Sequence, residues 1–308
     1  MKVSVQTPAT IANLGCGFDC FGLALPIYNV VTIEETIMPG SGIEINIIDT
    51  DSGLSSENIP RDKNNIVYKA IELLYNYIGQ TPAELKINIK TSIPVARGLG
   101  SSASVIVGGL IAANELLGHP ADKDVLLSIA TEIEGHPDNV TPALFGGVTI
   151  SSLEDTGSVT YKKLPWPKDW KVTIGIPDFE LATDISRSVL PEMVSMKDAI
   201  FNLRRASEFV HAIHTQDEEL MKIAMTDKLH QPYRMKLVPG LSSIMENLKH
   251  TDGVLGCVLA GAGPSIAIVS NGKNTDEIKE IVQTTWNNIN VNSKIYTYFI
   301  ENDGAKII

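Results

Sequence analysis

The sequence predicts an α+β protein built in two halves. Apolar residues at strand period and at helix period occur in both halves, without the regular strand–helix–strand alternation of a parallel α/β sheet. The turn-rich SLEDTGSV then places a boundary near Asp155, dividing the chain into 1–155 and 156–308. The 308 residues suffice for one large or two ordinary domains, and 44% hydrophobic content beside 20% charge suits a chain with a sizeable core.

Taken in order, Val3, Val5 and Thr7 alternate in a first strand that runs into the glycine-punctuated ATIANLGCGFDCFG. VVTIEETI and IEINII read as two further strands. From Asn65 to Ile78, the residues Ile66, Val67, Ala70, Ile71, Leu74 and Ile78 recur at the spacing of one helix face, and Gly79 stops the helix. LKINIKT is a strand, and IPVARGLGSSAS leads from it into a helix through Leu117 lined with Ala, Gly and Val. Asp122 caps a second helix to Glu134, amphipathic through Val125, Leu126, Ile129, Ala130 and Ile133. This helix enters the polar EGHPDNVTPALFGG, and GVTIS closes the first half as a strand.

The second half opens with strands at Val159 to Lys163 and Lys171 to Ile176, followed by an irregular polar stretch. Helices are expected at about Ser195 to His214, Asp217 to Met225 and Gly240 to Leu248. VLGCVLAGAGPSIAIV reads as strand, glycine turn, strand; Thr275 to Asn287 is helical, and KIYTYFI is a last strand.

A net charge of −11 argues against a general nucleic-acid or anionic-membrane partner. Met1 leads into VSVQT rather than a basic and then apolar leader, and no apolar run is long enough to span a bilayer. The odd count of three cysteines suits a reducing compartment, so the cytoplasm is the expected location. Cys16 and Cys20 lack a second pair to complete a metal site and are expected as buried small side chains.

The run from Ile93 to Ser104 carries the chemistry. Gly98 and Gly100 can take backbone angles closed to other residues, and Ser101, Ser102 and Ser104 place hydroxyls around the start of a helix. Free N–H groups and the positive dipole end of that helix favour an anion such as phosphate. A plain tight turn is the alternative. The P-loop and dinucleotide glycine patterns are absent, so a nucleotide bound here is held by another architecture.

PVARGLGSSAS resembles the P-x-x-x-G-L-G-S-S-A motif of the GHMP kinases, named for galactokinase, homoserine, mevalonate and phosphomevalonate kinases. ANLGCGFD, EGHPDNVTPALFGG and LAGAGPSIAIV resemble further blocks of the homoserine-phosphorylating branch, in order over nearly the whole chain. The resemblance implies a two-domain GHMP kinase fold, with an N-terminal ribosomal-protein-S5-domain-2-like part and a C-terminal ferredoxin-like part. It also implies ATP and Mg²⁺ as cofactors, L-homoserine as the substrate phosphorylated for threonine synthesis, and a homodimer.

Site residues follow from the same resemblance. Pro94, Val95, Ala96, Arg97, Gly98, Leu99, Gly100, Ser101, Ser102, Ala103 and Ser104 would form the ATP-phosphate cradle, with Arg97 near the anion. Ser102 would place its hydroxyl on Mg²⁺ beside one carboxylate, Glu134, since Mg²⁺ keeps most of its waters. Glu132, on a different helix face, stays open as the alternative. Asn65 would bond the adenine or ribose, or else only cap its helix. Asp138 is the formal base for the acceptor hydroxyl, with Asn139 as an alternative that could orient the hydroxyl but not deprotonate it. His136 reads as a substrate hydrogen-bonding group or a structural histidine. An amino-acid substrate needs an anionic partner for its ammonium, supplied by Asn13 and Asp19, and cations for its carboxylate, supplied by Arg187 and Arg234. Gly261, in the turn Gly261 to Ser265, would shape the pocket with its main chain.

Overall fold

Alternating burial fixes the first sheet. The computed structural model describes residues 1–35, 42–50, 59–82 and 84–308. Strand β1 (Lys2–Ala12) pairs antiparallel with β2 (Phe21–Glu35), setting Val3 opposite Ile33 and Val5 opposite Val31, all four buried. β3 (Ile43–Asp49) runs parallel to β4 (Leu85–Thr91), and β4 continues the sheet from β2. β5 (Val148–Leu153) pairs with the start of β2 and with β6 (Val159–Leu164). Helices α1 (Ile66–Tyr77), α2 (Ser101–Leu116), α3 (Lys123–Glu134) and α4 (Pro137–Phe145) pack over this sheet through a core that includes Ile71, Leu74, Ile87, Ile106, Leu127 and Val140. The small residues of α2 permit close approach: a Cβ on Gly109 would lie 2.7 Å from a methyl of Val67 on α1.

The second sheet is antiparallel throughout. Its strands β7 (Lys171–Pro177), β8 (Val254–Leu259), β9 (Ile266–Ser270) and β10 (Ser293–Tyr298) stand in the order β10-β7-β9-β8. Around it lie α5 (Thr183–Ser188), α6 (Met196–Thr215), α7 (Glu218–Ala224), α8 (Gln231–Arg234), α9 (Leu241–Leu248) and α10 (Thr275–Asn287). Ile244 of α9 and Ile278, Val282 and Trp286 of α10 cluster with Ile266 and Ile268 of the sheet. Val172, Ile174 and Val258 of the same sheet join Phe209 of α6, Met221 of α7 and Ile11, Leu23 and Val148 of the first half in one buried cluster. The two halves thus share a core, and their facing loops form a cleft above it.

The α+β class and most elements match the expectation. The strand expected to open the second half, β6, instead lies in the first sheet, and β11 (Lys306–Ile307) returns from the far end of the chain to pair with β1. The irregular polar stretch contains α5. Thr36 and Ile37 of VVTIEETI lie outside the described residues. Cys16 is buried as expected, but Cys20 is exposed and Cys257 half-buried. Burial pushes the Cys16 and Cys257 thiols up to about 12, so neither is a ready nucleophile.

Candidate active site

Both halves contribute walls to a cleft of about 280 Å³. The loop before α2 forms one side. Gly98 and Gly100 have φ of +75° and +64°, and a Cβ on Gly98 would lie 2.1 Å from the carbonyl oxygen of Ala260, so glycine is required where the halves meet. Gly100 caps α2 without a side-chain hydrogen bond to the first turn, leaving its N–H groups available for an anion. Pro94, Val95, Ala96, Gly98, Leu99, Gly100, Ser101 and Ser102 line the cleft.

Three residues of the expected cradle, and Asn65, are engaged elsewhere. Ala103 is buried in the core, and the buried Ser104 hydroxyl donates to the carbonyl of Thr7 at 3.2 Å. The Asn65 amide is committed to its own helix start, accepting from Val67 N at 2.9 Å and donating to the Pro60 carbonyl at 2.7 Å. Arg97 points away from the cleft, its guanidinium on the carbonyls of Val95, Pro177 and Asp178. The helix cap left open for Asn65 and a main-chain fork for Arg97 account for these two polar side chains.

Across the loop, the Ser102 hydroxyl donates to Glu134 Oε1 at 2.8 Å. Glu134 ends α3, where Gly135 at φ +88° turns the chain into the cleft. Burial pushes the Glu134 carboxyl above the usual range, opposed by the Ser102 hydrogen bond and the nearby His136. Glu132 is exposed and lines a different surface, so of the two glutamates only Glu134 reaches the loop.

Pro137 opens α4 and sets Asp138 and Asn139 in its first turn. Asp138 is buried and bonded by His136 Nδ1 through a short contact, while Asn139 Nδ2 donates to the same carboxylate at 3.4 Å. Asn139 Oδ1 accepts from the buried Thr10 hydroxyl at 2.8 Å. Burial alone would lower the His136 pKa, but the Asp138 hydrogen bond and the carboxylates of Asp138, Glu134 and Asp19 outweigh it and raise it.

Asp19 and Arg187 face each other, with Nη2 to Oδ1 at 2.8 Å and Nη1 to Oδ2 at 3.2 Å. Asn13 braces them: its Oδ1 accepts from Asp19 N at 3.0 Å, and its Nδ2 donates to the carbonyl of Gly261 at 3.0 Å. Its amide thus braces main chain on both sides at the cleft wall. Arg234 is buried at 1% exposure, donating to the carbonyls of Ser186 and Gly261, and no ion pair of Arg234 is formed among the described residues. Burial and the charge of Arg187 lower its pKa from the ordinary arginine value.

Phe18 and His230 were not identifiable from local sequence pattern. The Phe18 ring lies 5.3 Å from the Arg234 guanidinium and 5.7 Å from that of Arg187, and stacks on His230 at 5.1 Å. An aromatic face offsets the repulsion of two converging cations. His230 Nε2 bonds the Gly15 carbonyl at 2.8 Å, and its Nδ1 lies 3.4 Å from Arg234 Nη1, a pattern that requires the neutral ring. Burial lowers its pKa below the usual imidazole value, against the pull of Asp227. The unfolded chain then takes up this proton as pH falls through about 6.5 while the native state does not, so His230 contributes stability above that pH that is lost below it. His230→Gln is expected to flatten the fall in Tm between about pH 7 and pH 5 relative to wild type. Melting curves across that range check this, and parallel profiles would refute it.

Asp19, His136 and Asp138 place ligand atoms within 4.8 Å of one another. Arg187 and His136 already occupy these carboxylates, and imidazole is a poor partner for Mg²⁺. The Ser102–Glu134 pair, all oxygen and beside the loop, fits that ion better.

A two-part α+β fold with an anion-ready loop at the cleft defines a small-molecule kinase architecture, and comparison with known proteins bears this out. The model of the GHMP kinases N terminal domain matches residues 65–147, and that of the GHMP kinases C terminal matches 209–288. Homoserine kinase of Carboxydothermus hydrogenoformans is 44% identical over 98% of this chain and 96% of its own length. Homoserine kinase of Caldicellulosiruptor saccharolyticus is 40% identical over 98% and 95%. The crystal structure of homoserine kinase from Cytophaga hutchinsonii superposes with a TM-score of 0.89 at 29% identity, covering 100% of this chain and 97% of that one. The chain belongs to the GHMP kinase family, in its homoserine kinase branch. Membership implies ATP as phosphoryl donor.

Proposed function

We propose that the cleft transfers the γ-phosphoryl group of ATP to the side-chain hydroxyl of L-homoserine, giving O-phospho-L-homoserine. The observation that carries this is the meeting of Asp19, Arg187 and Arg234 beside the phosphate loop in one cleft. Phosphoryl transfer relies on positioning and on cancelling charge rather than on covalent help from the protein. The N–H groups from Gly98 to Ser102 hold the phosphates. Ser102 and Glu134 would hold Mg²⁺, which when bound neutralises charge on the phosphate oxygens.

The acceptor end follows from charge. Arg187 uses two N–H groups on Asp19 and keeps others for the substrate carboxylate, and Arg234 supplies the second cation. Asp19 can accept the ammonium while still paired. With Asp138 bonded to His136, Asn139 orients the acceptor hydroxyl, and the proton leaves to phosphate or solvent as the new bond forms. Asp138 then serves to hold His136 and Asn139 in place.

We assign β6 to the N-terminal domain, which moves the proposed domain edge from Asp155 to Leu164. A cytoplasmic homodimer is the proposed working form, in keeping with the family resemblance. No helix among the described residues is long and apolar enough to cross a membrane.

A coupled ADP-release assay over L-homoserine, mevalonate and galactose tests the acceptor. Turnover is expected with L-homoserine alone. Mevalonate carries no ammonium for Asp19, so its turnover in place of L-homoserine would overturn the reading, as would nucleotide binding without turnover.

A further inference from the structure

The family resemblance places Arg97 near the bound anion, whereas its side chain lies on the reverse of the loop, facing a cavity of about 480 Å³. There Nε donates to the Pro177 carbonyl at 3.1 Å, Nη2 to the Asp178 carbonyl at 3.1 Å and Nη1 to the Val95 carbonyl at 3.3 Å. Glu180 pairs with Nη1 at 3.5 Å. Main chain reinforces the junction: Leu181 N donates to the Ala96 carbonyl at 3.1 Å, and Ser265 N to the Arg97 carbonyl at 3.2 Å. The segment gripped in this way, 177–181, leads directly into α5, whose last turn carries Arg187.

We propose that Arg97 is a positioning residue that fixes the phosphate loop relative to α5, and so sets the distance between donor phosphate and acceptor hydroxyl. The proposal rests on the reading of the loop and of Arg187 given above. A planar guanidinium can donate to carbonyls in several directions at once, which an ammonium on a flexible stem cannot reproduce. The side chain is only 13% exposed, so water is poorly placed to replace those bonds. A misplacement of about 1 Å from a change away from the reacting atoms can cost roughly 10²-fold in rate.

Arg97→Lys and Arg97→Ala separate this role from direct contact with phosphate. Lysine keeps the charge and loses the fork, so Arg97→Lys is expected to lower kcat about 10- to 100-fold and to raise KM for L-homoserine as well as for ATP. Arg97→Ala is expected to fall at least as far. A charge acting on the phosphates predicts the reverse, with Arg97→Lys close to wild type and only KM for ATP raised in Arg97→Ala. That result overturns the proposal, as does an Arg97→Lys enzyme whose Tm falls while its kcat and both KM values hold. Should Arg97→Ala fail to fold, Arg97→Lys carries the test. A wild type without L-homoserine turnover contradicts the proposed function itself, a failure distinct from wild-type kinetics in Arg97→Lys.

Discussion

Glu134→Gln is expected to lower kcat by about two to three orders of magnitude while leaving the protein folded. Glutamine matches glutamate in shape and can still accept the Ser102 hydroxyl bond seen at 2.8 Å, so the change removes charge with little else. The sign of the stability effect is also fixed. Burial raises the Glu134 pKa, which means the folded state disfavours its ionised form, so above the unfolded carboxyl pKa this charge lowers stability. Removing it should leave Tm unchanged or slightly higher at neutral pH. Steady-state kinetics over a Mg²⁺ titration, paired with melting curves, check both halves. A kcat near wild type with the same Mg²⁺ requirement would remove Glu134 from the metal site.

Arg234→Met is the second large effect, and it too should separate function from stability. Loss of one partner of a buried, hydrogen-bonded charge pair costs about 2–5 kcal/mol, so kcat/KM for L-homoserine should fall by roughly 10²-fold or more while KM for ATP holds. Arg234 is buried without an ion pair among the described residues, and its lowered pKa marks a charge that the fold disfavours. Methionine can fill the space against Phe18 without that charge, and the Gly261 carbonyl keeps its bond from Asn13. Tm should change little, because the bonds lost to the Ser186 carbonyl and His230 Nδ1 offset the gain from removing the charge. A destabilised variant with unchanged KM for L-homoserine would make Arg234 a strut instead of a substrate group.

Much of the fold could be read because its signals are local. Burial alternates along β4 and the start of β1 as their residues do, the face of α1 follows its apolar spacing, and Asp122 caps α3 as its place in the sequence suggests. The glycine-rich loop before α2 was legible for the same reason, since glycines, serines and a helix start adjoin in the chain. The misassigned parts depend on distant partners. β6 has an ordinary strand pattern, and only β5 beside it decides its sheet, while β11 is two residues long and has no period to detect.

The same limit applies within the site. Ser102 and Glu134 could be proposed from their blocks, and the structure brings them into contact. Asn65 takes the helix-cap alternative, while Arg97 stands in the right segment with its guanidinium on the carbonyls of Val95, Pro177 and Asp178, which no local pattern announces. The stack of His230, Phe18 and Arg234 joins segments more than 200 residues apart in the chain, so no spacing rule finds it.

The most direct measurement is a crystal structure with L-homoserine, Mg²⁺ and a non-hydrolysable ATP analogue. The substrate carboxylate is expected between Arg187 and Arg234, its ammonium on Asp19, its hydroxyl near Asn139, and the metal on Ser102 Oγ and Glu134. A metal held by Asp19, His136 and Asp138, or a carboxylate bound away from both arginines, would contradict the account.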